Sequence, residues 1–316
     1  MLIQSTAQKY STKAHDDLLA QWDAVRFEAG PLTLDLTQVC FIDPYGMCGL
    51  VLFINHLPEE ALPVRLLLSG WPAQNQSKSP QTLNDLPAGP VKYLTRMGFW
   101  ELVEQKLDVK RGQIPICPPW LAERNVLLDL TVLHSHDAIS VMLRKTGNLL
   151  QNIGYTVPGR GHVLEVLSEL CSNVLLHAQT EFGGVAAMQT YRNKEDVRYL
   201  VMSIGDAGIG VRRSLASNSA LAGRLQSDAQ ALGVAVQPGA SRFAAGGHGG
   251  GLPRVLEIAR RYGGTVALRS GSGALAYNGA DDQRRSFDAP PLLGTQLRVA
   301  LPESKLRQTS PAAGSG

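Results

Sequence analysis

Apolar and polar positions alternate along the start of the chain with both the helical and the strand period. Residues 15–27 repeat apolar side chains at helical spacing, and residues 32–39 alternate them as a half-buried strand does. A second helix and a second strand follow at 47–57 and 64–68, and a closing helix spans 91–103. Strands that alternate with helices in this order predict a small α/β domain.

The same two periods return after residue 125 and predict a second α/β unit. The predicted strands are 125–132, 199–204 and 296–301, and the predicted helices are 136–150, a helix that follows a turn at 154–161, and 254–262. This order favours an α/β sandwich in which helices cover one face of a mixed sheet.

The composition of the connecting segments sets the domain limits. A chain of 316 residues suits two domains. Residues 110–120 are rich in proline, as linkers are, and residues 71–90 have the Pro, Ser, Gln and Asn content of a surface loop. We therefore expect domains at 1–108 and 125–302, a linker at 109–124, and a disordered tail at 303–316.

Charge and cysteine usage narrow the possible partners and the compartment. A formal net charge of +3 without a basic run gives no reason to expect nucleic-acid binding. The four cysteines have neither CxxC spacing nor the density of a secreted scaffold, which indicates a reducing compartment. The N-terminus lacks a signal-peptide pattern and no apolar run reaches membrane-spanning length, so we expect a cytoplasmic protein without a membrane partner.

A polar stripe on one predicted helix is the first candidate for chemistry. Glu169, Asn173 and His177 are spaced i, i+4 and i+8, which places them on one face of a helix whose other side is apolar. Carboxylate and amide oxygens are ligands that Mg²⁺ accepts beside a phosphate chain. The same spacing also occurs on ordinary amphipathic surface helices, so the stripe alone leaves both interpretations open.

Two glycine-rich turns follow downstream. Residues 205–210 read Gly-Asp-Ala-Gly-Ile-Gly and come directly after a buried strand, where glycines allow the backbone to approach a ligand. Residues 246–253 read Gly-Gly-His-Gly-Gly-Gly-Leu-Pro and open onto a helix, a sequence that can cradle phosphate groups. Taken alone, the first motif is more often a structural turn than a site, and the second is more often a surface loop before an ordinary helix. A Gly-Thr pair at 294–295 then starts the last predicted strand.

These four motifs, in this order, resemble the N box and the three glycine boxes of the GHKL ATPases. That group contains gyrase, the heat-shock chaperone ATPases, the histidine kinases, the mismatch-repair ATPases and the anti-sigma-factor serine kinases. The resemblance covers residues 125–302, and Glu-Leu-Cys-Ser-Asn-Val-Leu-Leu-His-Ala at 169–178 is most similar to the anti-sigma-factor kinases. It implies ATP and Mg²⁺ as cofactors. Leu176 stands where histidine kinases usually carry a basic residue, and no hairpin with a phospho-acceptor His can be separated, so a histidine kinase is not expected.

The resemblance also implies a role for each motif residue. Asn173 would coordinate Mg²⁺, and Glu169 would act as the general base. Asp206 would accept the adenine amino proton with support from Thr295. The remaining nucleotide contacts would come from Gly208, Gly210, Gly247, His248, Gly249, Gly250, Gly251 and Leu252.

The long insertion at 211–246 corresponds to the ATP lid of the same family. Its Gly and Ala content offers little apolar area, so we expect it to be loosely held without nucleotide and to become ordered by the γ-phosphate. Arg242 is the candidate for a closing contact, because its guanidinium would replace the cation that Leu176 does not supply.

The first domain resembles the STAS domains of anti-sigma-factor antagonists. The resemblance rests on Phe-Ile-Asp-Pro-Tyr-Gly at 41–46, the apolar helix after it, and Met-Gly-Phe-Trp-Glu-Leu at 97–102. Antagonists often carry a phosphorylatable Ser just before the Gly, and here that place is Tyr45. The resemblance implies a protein partner for this domain, and Tyr45 would mark the partner-facing loop.

Two functions from different classes are consistent with these expectations. The first is an ATPase or a protein Ser/Thr kinase in bacterial-type signalling, with the STAS-like domain as regulator or internal substrate. The alternative is a nucleotide-gated binding module with little or no catalysis. Glu169 favours the enzyme, whereas Leu176 and Tyr45 favour the module. A homodimer is compatible with either function.

Overall fold

A computed structural model describes residues 1–69, 89–108, 127–179, 182–243 and 250–307. The predicted loop at 71–90, the predicted linker at 109–124 and the tail beyond residue 307 fall wholly or largely outside these ranges. Within the described ranges, no helix is both long enough and apolar enough to cross a membrane.

The N-terminal half alternates short strands with helices, as its sequence predicts. Its elements are β1 (Leu2–Gln4), β2 (Lys9–Tyr10), α1 (Thr12–Val25), β3 (Thr33–Leu36), β4 (Phe41–Ile42), α2 (Pro44–Asn55), β5 (Arg65–Leu68), α3 (Pro90–Arg96) and α4 (Trp100–Val103). Strands β1, β3 and β5 form a parallel sheet, and β2 pairs in parallel with β4. The closing helix predicted over 91–103 is divided in two, because Gly98 adopts a φ of +72° that a helix does not accept.

The C-terminal half is built on one five-stranded sheet. Its elements are β6 (Leu128–Leu133), α5 (His136–Asn152), α6 (Val157–Asn173), β7 (Gly184–Arg192), β8 (Arg198–Asp206), α7 (Gly210–Ala216), α8 (Ser219–Ala222), α9 (Asp228–Ala235), α10 (Gly251–Tyr262), β9 (Thr265–Asn278) and β10 (Gln283–Pro302). The strand order is β6-β7-β8-β10-β9. The predicted α/β class is confirmed in both halves.

Strand direction in this sheet differs from the prediction of a mixed sheet. All four pairings among its described strands are antiparallel. Short turns at 193–197 and 279–282 join β7 to β8 and β9 to β10 directly, and such hairpins can only make antiparallel neighbours. Parallel pairing is found instead in the small sheets of the N-terminal half.

Helix α6 begins earlier than the sequence indicates. The turn predicted over 154–161 is helical from Val157 onward. Thr156 caps the helix, because its side-chain oxygen accepts a hydrogen bond from the Gly159 amide at 3.0 Å, and Pro158 fits the first turn. This cap fixes where α6 starts and therefore where its polar stripe lies relative to the sheet.

One face of the five-stranded sheet is covered by helices of the C-terminal half, as predicted, and the other face is covered by the N-terminal half. Helices α5, α6 and α10 share an apolar core with one face. Side chains from the other face, including Val185 and Ala187 of β7, join the core of the N-terminal half. Helix α2 is buried along nearly its whole length, from Pro44 to Ile54, because it packs against β7, β8 and β10 on this second face and shares the apolar core of the N-terminal half.

Polar contacts also join the two halves across this second face. Arg269 forms an ion pair with Asp16 of α1 at 2.8 Å, and Arg298 forms one with Asp43 at 3.1 Å. Asp43 at the same time caps α2 through the amide of Gly46. The Cys48 thiol donates to the carbonyl of Ser203 at 3.8 Å. A buried charge is unfavourable unless it is paired. These contacts therefore fix the position of α1 and α2 on the sheet.

Tyr45 lies within this packed face and is fully buried. Its backbone carbonyl accepts a hydrogen bond from Gln296 at 2.6 Å, and burial raises the pKa of its hydroxyl above the usual value. The expectation that Tyr45 marks a partner-facing loop is therefore wrong for this arrangement. The loop faces the C-terminal half of the same chain.

The prediction of a disordered tail from residue 303 is wrong for residues 303–307, and its remaining residues lie outside the described ranges. Residues 303–307 are described and folded, and the Glu303 side chain is buried. Its carboxylate pairs with Arg198 at 2.8 Å and accepts a hydrogen bond from the Tyr155 hydroxyl at 3.1 Å. A buried carboxylate that also pairs with Arg307 at 3.5 Å, and so has three partners, anchors this stretch, whereas composition alone suggested a disordered end.

Candidate functional site

A cavity of about 390 Å³ lies on the face of the sheet that α6 and α10 cover. Strands β8, β9 and β10 supply one wall, α6 and the turn after it supply another, and the segment 210–242 together with the start of α10 closes the rest. The polar or charged side chains that line it are Glu169, Ser172, Asn173, His177, Asp206, Ser214, Ser241, Arg242 and Thr295.

The polar stripe of α6 faces this cavity, as its spacing predicts. Glu169, Asn173 and His177 all line it. After Asn173 the helix widens into a single π turn, Val174–Ala178, a form that recurs at functional sites. The His177 ring lies 5.9 Å from that of Phe243, and its Nδ1 is 3.4 Å from the Ser214 hydroxyl. The turn thus connects α6 to the segment that closes the cavity.

Asp206 ends β8 and is the buried acid of the cavity. Only 6% of the residue is exposed. Its Oδ1 accepts a hydrogen bond from the Gly208 amide at 2.8 Å. Burial raises the pKa of the carboxyl to about 6, while hydrogen bonds from the amides of Gly208 and Thr295 act in the opposite direction. Two amides occupy part of its accepting capacity, so an ionised Asp206 still has lone pairs for a donor on a ligand.

Thr295 stands beside Asp206 because the two residues are register partners on β10 and β8. Its hydroxyl is 3.3 Å from that of Ser270 on β9, which donates to the Gly294 carbonyl at 2.8 Å. Ser270 also accepts a hydrogen bond from the Val211 amide at 2.9 Å. This serine was missed by sequence reasoning. Strand alternation along 265–278 was the one available sign that it lies on the same side of β9 as Leu268, which lines the cavity, since nothing in its neighbours suggests a motif.

The glycines after Asp206 serve different purposes. Gly210 lines the cavity and has a φ of +76°, a conformation that other residues rarely adopt. Gly208 is not among the lining residues, and a Cβ there would lie 2.0 Å from the Ala178 carbonyl oxygen. Gly208 therefore permits close packing of two backbone segments, and the prediction that it contacts the ligand is not supported by its position.

The start of α10 forms the third part of the site. Gly250, Gly251 and Leu252 line the cavity. A Cβ on Gly251 would lie 2.7 Å from Glu169 Oε2, so the missing side chain makes room for that carboxylate beside the helix start. Among the described residues, no side chain caps the first amides of α10. The other predicted residues of this motif, Gly247, His248 and Gly249, lie outside the described ranges.

The segment predicted to be a loosely held lid is packed in this structure. Its described part has its own apolar cluster, formed by Leu215, Leu225, Ala231, Val234 and Ala235. The expectation that it offers little apolar area is wrong, because leucine, valine and alanine side chains are buried against one another here. Its dependence on nucleotide stays a prediction.

Arg242 lines the cavity but is already engaged. Its guanidinium donates to the Leu176 carbonyl at 3.1 Å and lies 5.4 Å from the centre of the Phe243 ring. The guanidinium of Arg242 therefore lies near Leu176, as predicted. Its contact there is with the backbone of the π turn. This contact holds the segment onto the end of α6.

Comparison with known proteins adds little to this geometry. No family model matches the sequence, and no curated protein matches it. A solved structure, the histidine kinase domain from the Erythrobacter litoralis EL346 blue-light activated histidine kinase, is similar at 15% identity with a TM-score of 0.27. The similarity covers 53% of this chain and 62% of that one. The chemistry of the cavity must therefore be inferred from its own residues.

Proposed function

We propose that the C-terminal half binds ATP together with Mg²⁺ in the cavity between β8, α6 and α10. The observation that carries the proposal is the buried Asp206, whose carboxylate opens onto the same cavity as the Glu169 and Asn173 pair. A single buried acceptor suits an exocyclic amine, and the polar pair suits a hydrated cation beside phosphates. The resemblance of four ordered motifs to GHKL ATPases points to the same ligand.

The adenine end of the proposed ligand would lie against the sheet. Asp206 supplies an acceptor for the adenine amine, and the Thr295 hydroxyl beside it supports that contact. Apolar side chains of Ile204, Leu268 and Leu297 line the same region and can cover a flat base. A base bound there exchanges contact with water for contact with apolar groups, while its one amine is still paired.

The phosphate end would lie against α6 and the start of α10. Uncapped amides at a helix N-terminus attract anions, and Gly250 and Gly251 leave them open to the cavity. The Asn173 side chain supplies a hard oxygen that fits Mg²⁺, and Glu169 is close to the same helix start. Bound Mg²⁺ would neutralise charge on the phosphates. Among the described residues at this end of the cavity, one amide and one carboxylate can act as ligands, so the phosphates and water would complete the coordination of Mg²⁺.

A binding measurement tests the proposal directly. We expect isothermal titration of the full chain to show saturable ATP binding that weakens when EDTA removes Mg²⁺. GTP is the matched control, because it presents a carbonyl oxygen where ATP has its amine and would face the Asp206 carboxylate. GTP should bind roughly tenfold or more weakly, as expected when a buried polar group is left unpaired. Equal binding of both nucleotides, or none of either, would refute the adenine assignment.

The pH dependence of binding reflects the raised pKa of Asp206. The carboxylate must be ionised to accept from the adenine amine, and its pKa in the folded protein is about 6. ATP affinity should therefore be constant above neutral pH and fall about tenfold between pH 7.5 and pH 5. Parallel titrations of the Asp206→Asn variant, which lacks this carboxyl, correct for ionisation of the nucleotide. The same pH slope in both proteins would assign the effect elsewhere.

Turnover by an ATPase or a protein Ser/Thr kinase is the finer part of the proposal. Glu169 supports it, because a carboxylate near the proposed γ-phosphate can orient a water or a hydroxyl nucleophile. The second candidate is a nucleotide-gated binding module. It is favoured by Leu176, which supplies no cation, and by Arg242, whose guanidinium contacts the backbone of the π turn. Phosphate release measured with and without Mg²⁺ separates the two.

A further inference from the structure

The first six residues of β10, 283–288, form a strand segment with one unpaired edge. They pair with β9 on one side only, because the pairing of β10 with β8 begins at Thr295. Within the described part of the chain, no main-chain hydrogen bond joins residues 284–288 to any element other than β9. All six residues are exposed. The side of this segment that points away from β9, called the outer edge below, therefore offers N–H and C=O groups to another strand.

The edges of the small parallel sheet are covered by the chain itself. At β1, the Gln21 side chain accepts from the Gln4 amide at 2.9 Å and donates to the Gln4 carbonyl at 2.8 Å. Beside β5, the Val64 amide donates to the Lys106 carbonyl at 2.8 Å, and the Val64 carbonyl accepts from the Asp108 amide at 2.7 Å. Folded proteins cover edge strands in such ways because an open edge attracts another strand. The outer edge of β10 differs from both and needs an explanation.

Two opposite charges lie four residues apart on this segment. Arg284 and Asp288 are on the same face of the strand, separated by about 13 Å along it, which is too far for contact. No ion pair between described residues includes either of them. Arg285 and Phe287 alternate with them on the opposite face, and 46% of Phe287 is exposed. An antiparallel copy of the same segment presents these charges in reverse order, so the segment is complementary to itself.

Hydrogen bonding restricts the register of such a pairing. The pairing of 283–288 with β9 has no irregularity, so alternate residues direct their N–H and C=O groups outward. Two copies can bond only where outward-directed residues lie opposite outward-directed residues. This condition requires the twofold axis to pass through a residue and not between two residues.

The side chains then select one position of the axis. An axis at Arg285 places the two Arg285 guanidinium groups opposite each other, which is unfavourable. An axis at Phe287 gives neither Arg284 nor Asp288 an opposite charge. An axis at Ser286 places Arg284 of each copy opposite Asp288 of the other, so both charges are paired twice.

We propose that the outer edge of β10 pairs with the outer edge of a second copy of this chain, antiparallel and with Ser286 on the twofold axis. Arg285 of each copy then lies opposite the Phe287 ring of the other, which allows a cation–π contact. Residues 290 and 291 are prolines and end the ladder, so the interface is short. A contact below about 1,200 Å² is weak, and we expect a Kd on the order of 100 µM. The pairing does not require nucleotide.

Charge exchange tests the register. Sedimentation velocity of the full chain without nucleotide, from about 5 µM to about 1 mM, brackets the expected Kd. Arg284→Asp and Asp288→Arg each place like charges opposite each other and should raise the Kd about tenfold or more. The double variant restores both pairs and should return the Kd to within about threefold of the unmodified chain.

Three outcomes contradict the proposal. A chain that stays monomeric at every concentration leaves the outer edge to another protein or to solvent. A dimer that neither single variant weakens forms through a different surface. A dimer that both single variants weaken and the double variant does not restore has a different register, because the two charges are then not opposite each other.

The turn between β7 and β8 provides matched controls. Lys194→Asp and Glu195→Arg make the same changes of net charge at exposed positions and should leave the Kd unaltered. An equal change in these variants would assign the effect to net charge and refute the site. Hydrogen exchange of the unmodified chain decides the proposal even if a variant fails to fold. Amides within 284–288 should exchange more slowly at high than at low protein concentration, while those of the turn at 193–197 stay constant. Equal exchange of 284–288 at both concentrations overturns the pairing.

Discussion

Asp206→Asn should lower ATP affinity by about 1–3 kcal/mol, which is roughly 5-fold to 150-fold in Kd. The carboxylate is an acceptor only, whereas the amide also carries a donor that would meet the adenine amine. The side chains have nearly the same shape, so the packing at the end of β8 is preserved. Isothermal titration with ATP and Mg²⁺ measures the change.

The stability of the same variant separates binding from folding. The pKa of Asp206 is raised in the folded protein from 3.8 to about 6, so the ionised carboxylate disfavours the folded state. Protonated Asp206 therefore adds to the free energy of unfolding, on the order of 2–3 kcal/mol. This contribution is fully present below about pH 4 and is lost as the pH rises through about 6. The free energy of unfolding of Asp206→Asn at pH 7 should therefore not fall, even though ATP affinity does.

A second aspartate provides the control for this experiment. Asp196 lies in the turn between β7 and β8, outside the cavity lining, and is exposed. Its φ of +60° is one that Asn also tolerates, so Asp196→Asn makes the same chemical change without strain. ATP affinity should be unaltered in Asp196→Asn. Unchanged affinity in Asp206→Asn as well would end the assignment of adenine to this acid.

Glu169→Gln should reduce ATP hydrolysis or phosphotransfer by roughly 10²-fold or more while ATP binding stays nearly constant. Glutamine retains the size of the side chain and one oxygen, but it cannot accept a proton from a nucleophile at neutral pH. The change should appear in kcat and not in the Kd for ATP, because the lost interaction exists only in the transition state. Phosphate release under saturating ATP and Mg²⁺ gives kcat.

Glu165→Gln is the matched control on the same helix. Glu165 lies one turn before Glu169, is not among the lining residues, and pairs with Arg254 at 2.6 Å. The pair is about one third exposed and bidentate, and glutamine keeps one oxygen that can accept from the Arg254 guanidinium, so the variant should fold and turn over ATP normally. If the unmodified protein shows no turnover under any condition, with or without protein partners, Glu169 has no catalytic step to perform and the nucleotide-gated module becomes the better description.

The local sequence predicted those parts of the site that lie within a single helix or strand. The spacing of Glu169, Asn173 and His177 sets their shared face on α6, because helical periodicity is a property of neighbouring residues. Asp206 comes at the end of a recognisably buried strand and lies where that strand meets the cavity. Ser270 was not found, since it supports Thr295 only when β9 is placed beside β10, and that contact joins residues 25 positions apart.

The arrangement of the two halves could not be predicted by considering each domain separately. Helix α2 has almost no polar face, and a helix that is apolar all round is buried on more than one side. That property is visible in the sequence, but it is equally compatible with burial in the core of the N-terminal domain alone. The ion pairs of Asp16 and Asp43 join residues more than two hundred positions apart, so no local pattern could indicate them.

Alternate side chains of strand β10 face two different surfaces. Thr295 and Leu297 line the cavity, whereas Gln296 and Arg298 contact the N-terminal half. Inserting or deleting a single residue here would exchange both sets at once, because successive side chains point to opposite faces. Natural variation in chain length should therefore be confined to the turn at 279–282 and absent from 294–299. Because alternate residues of this strand meet two different sets of contacts, evolution can substitute its residues but cannot change their register by an insertion or deletion.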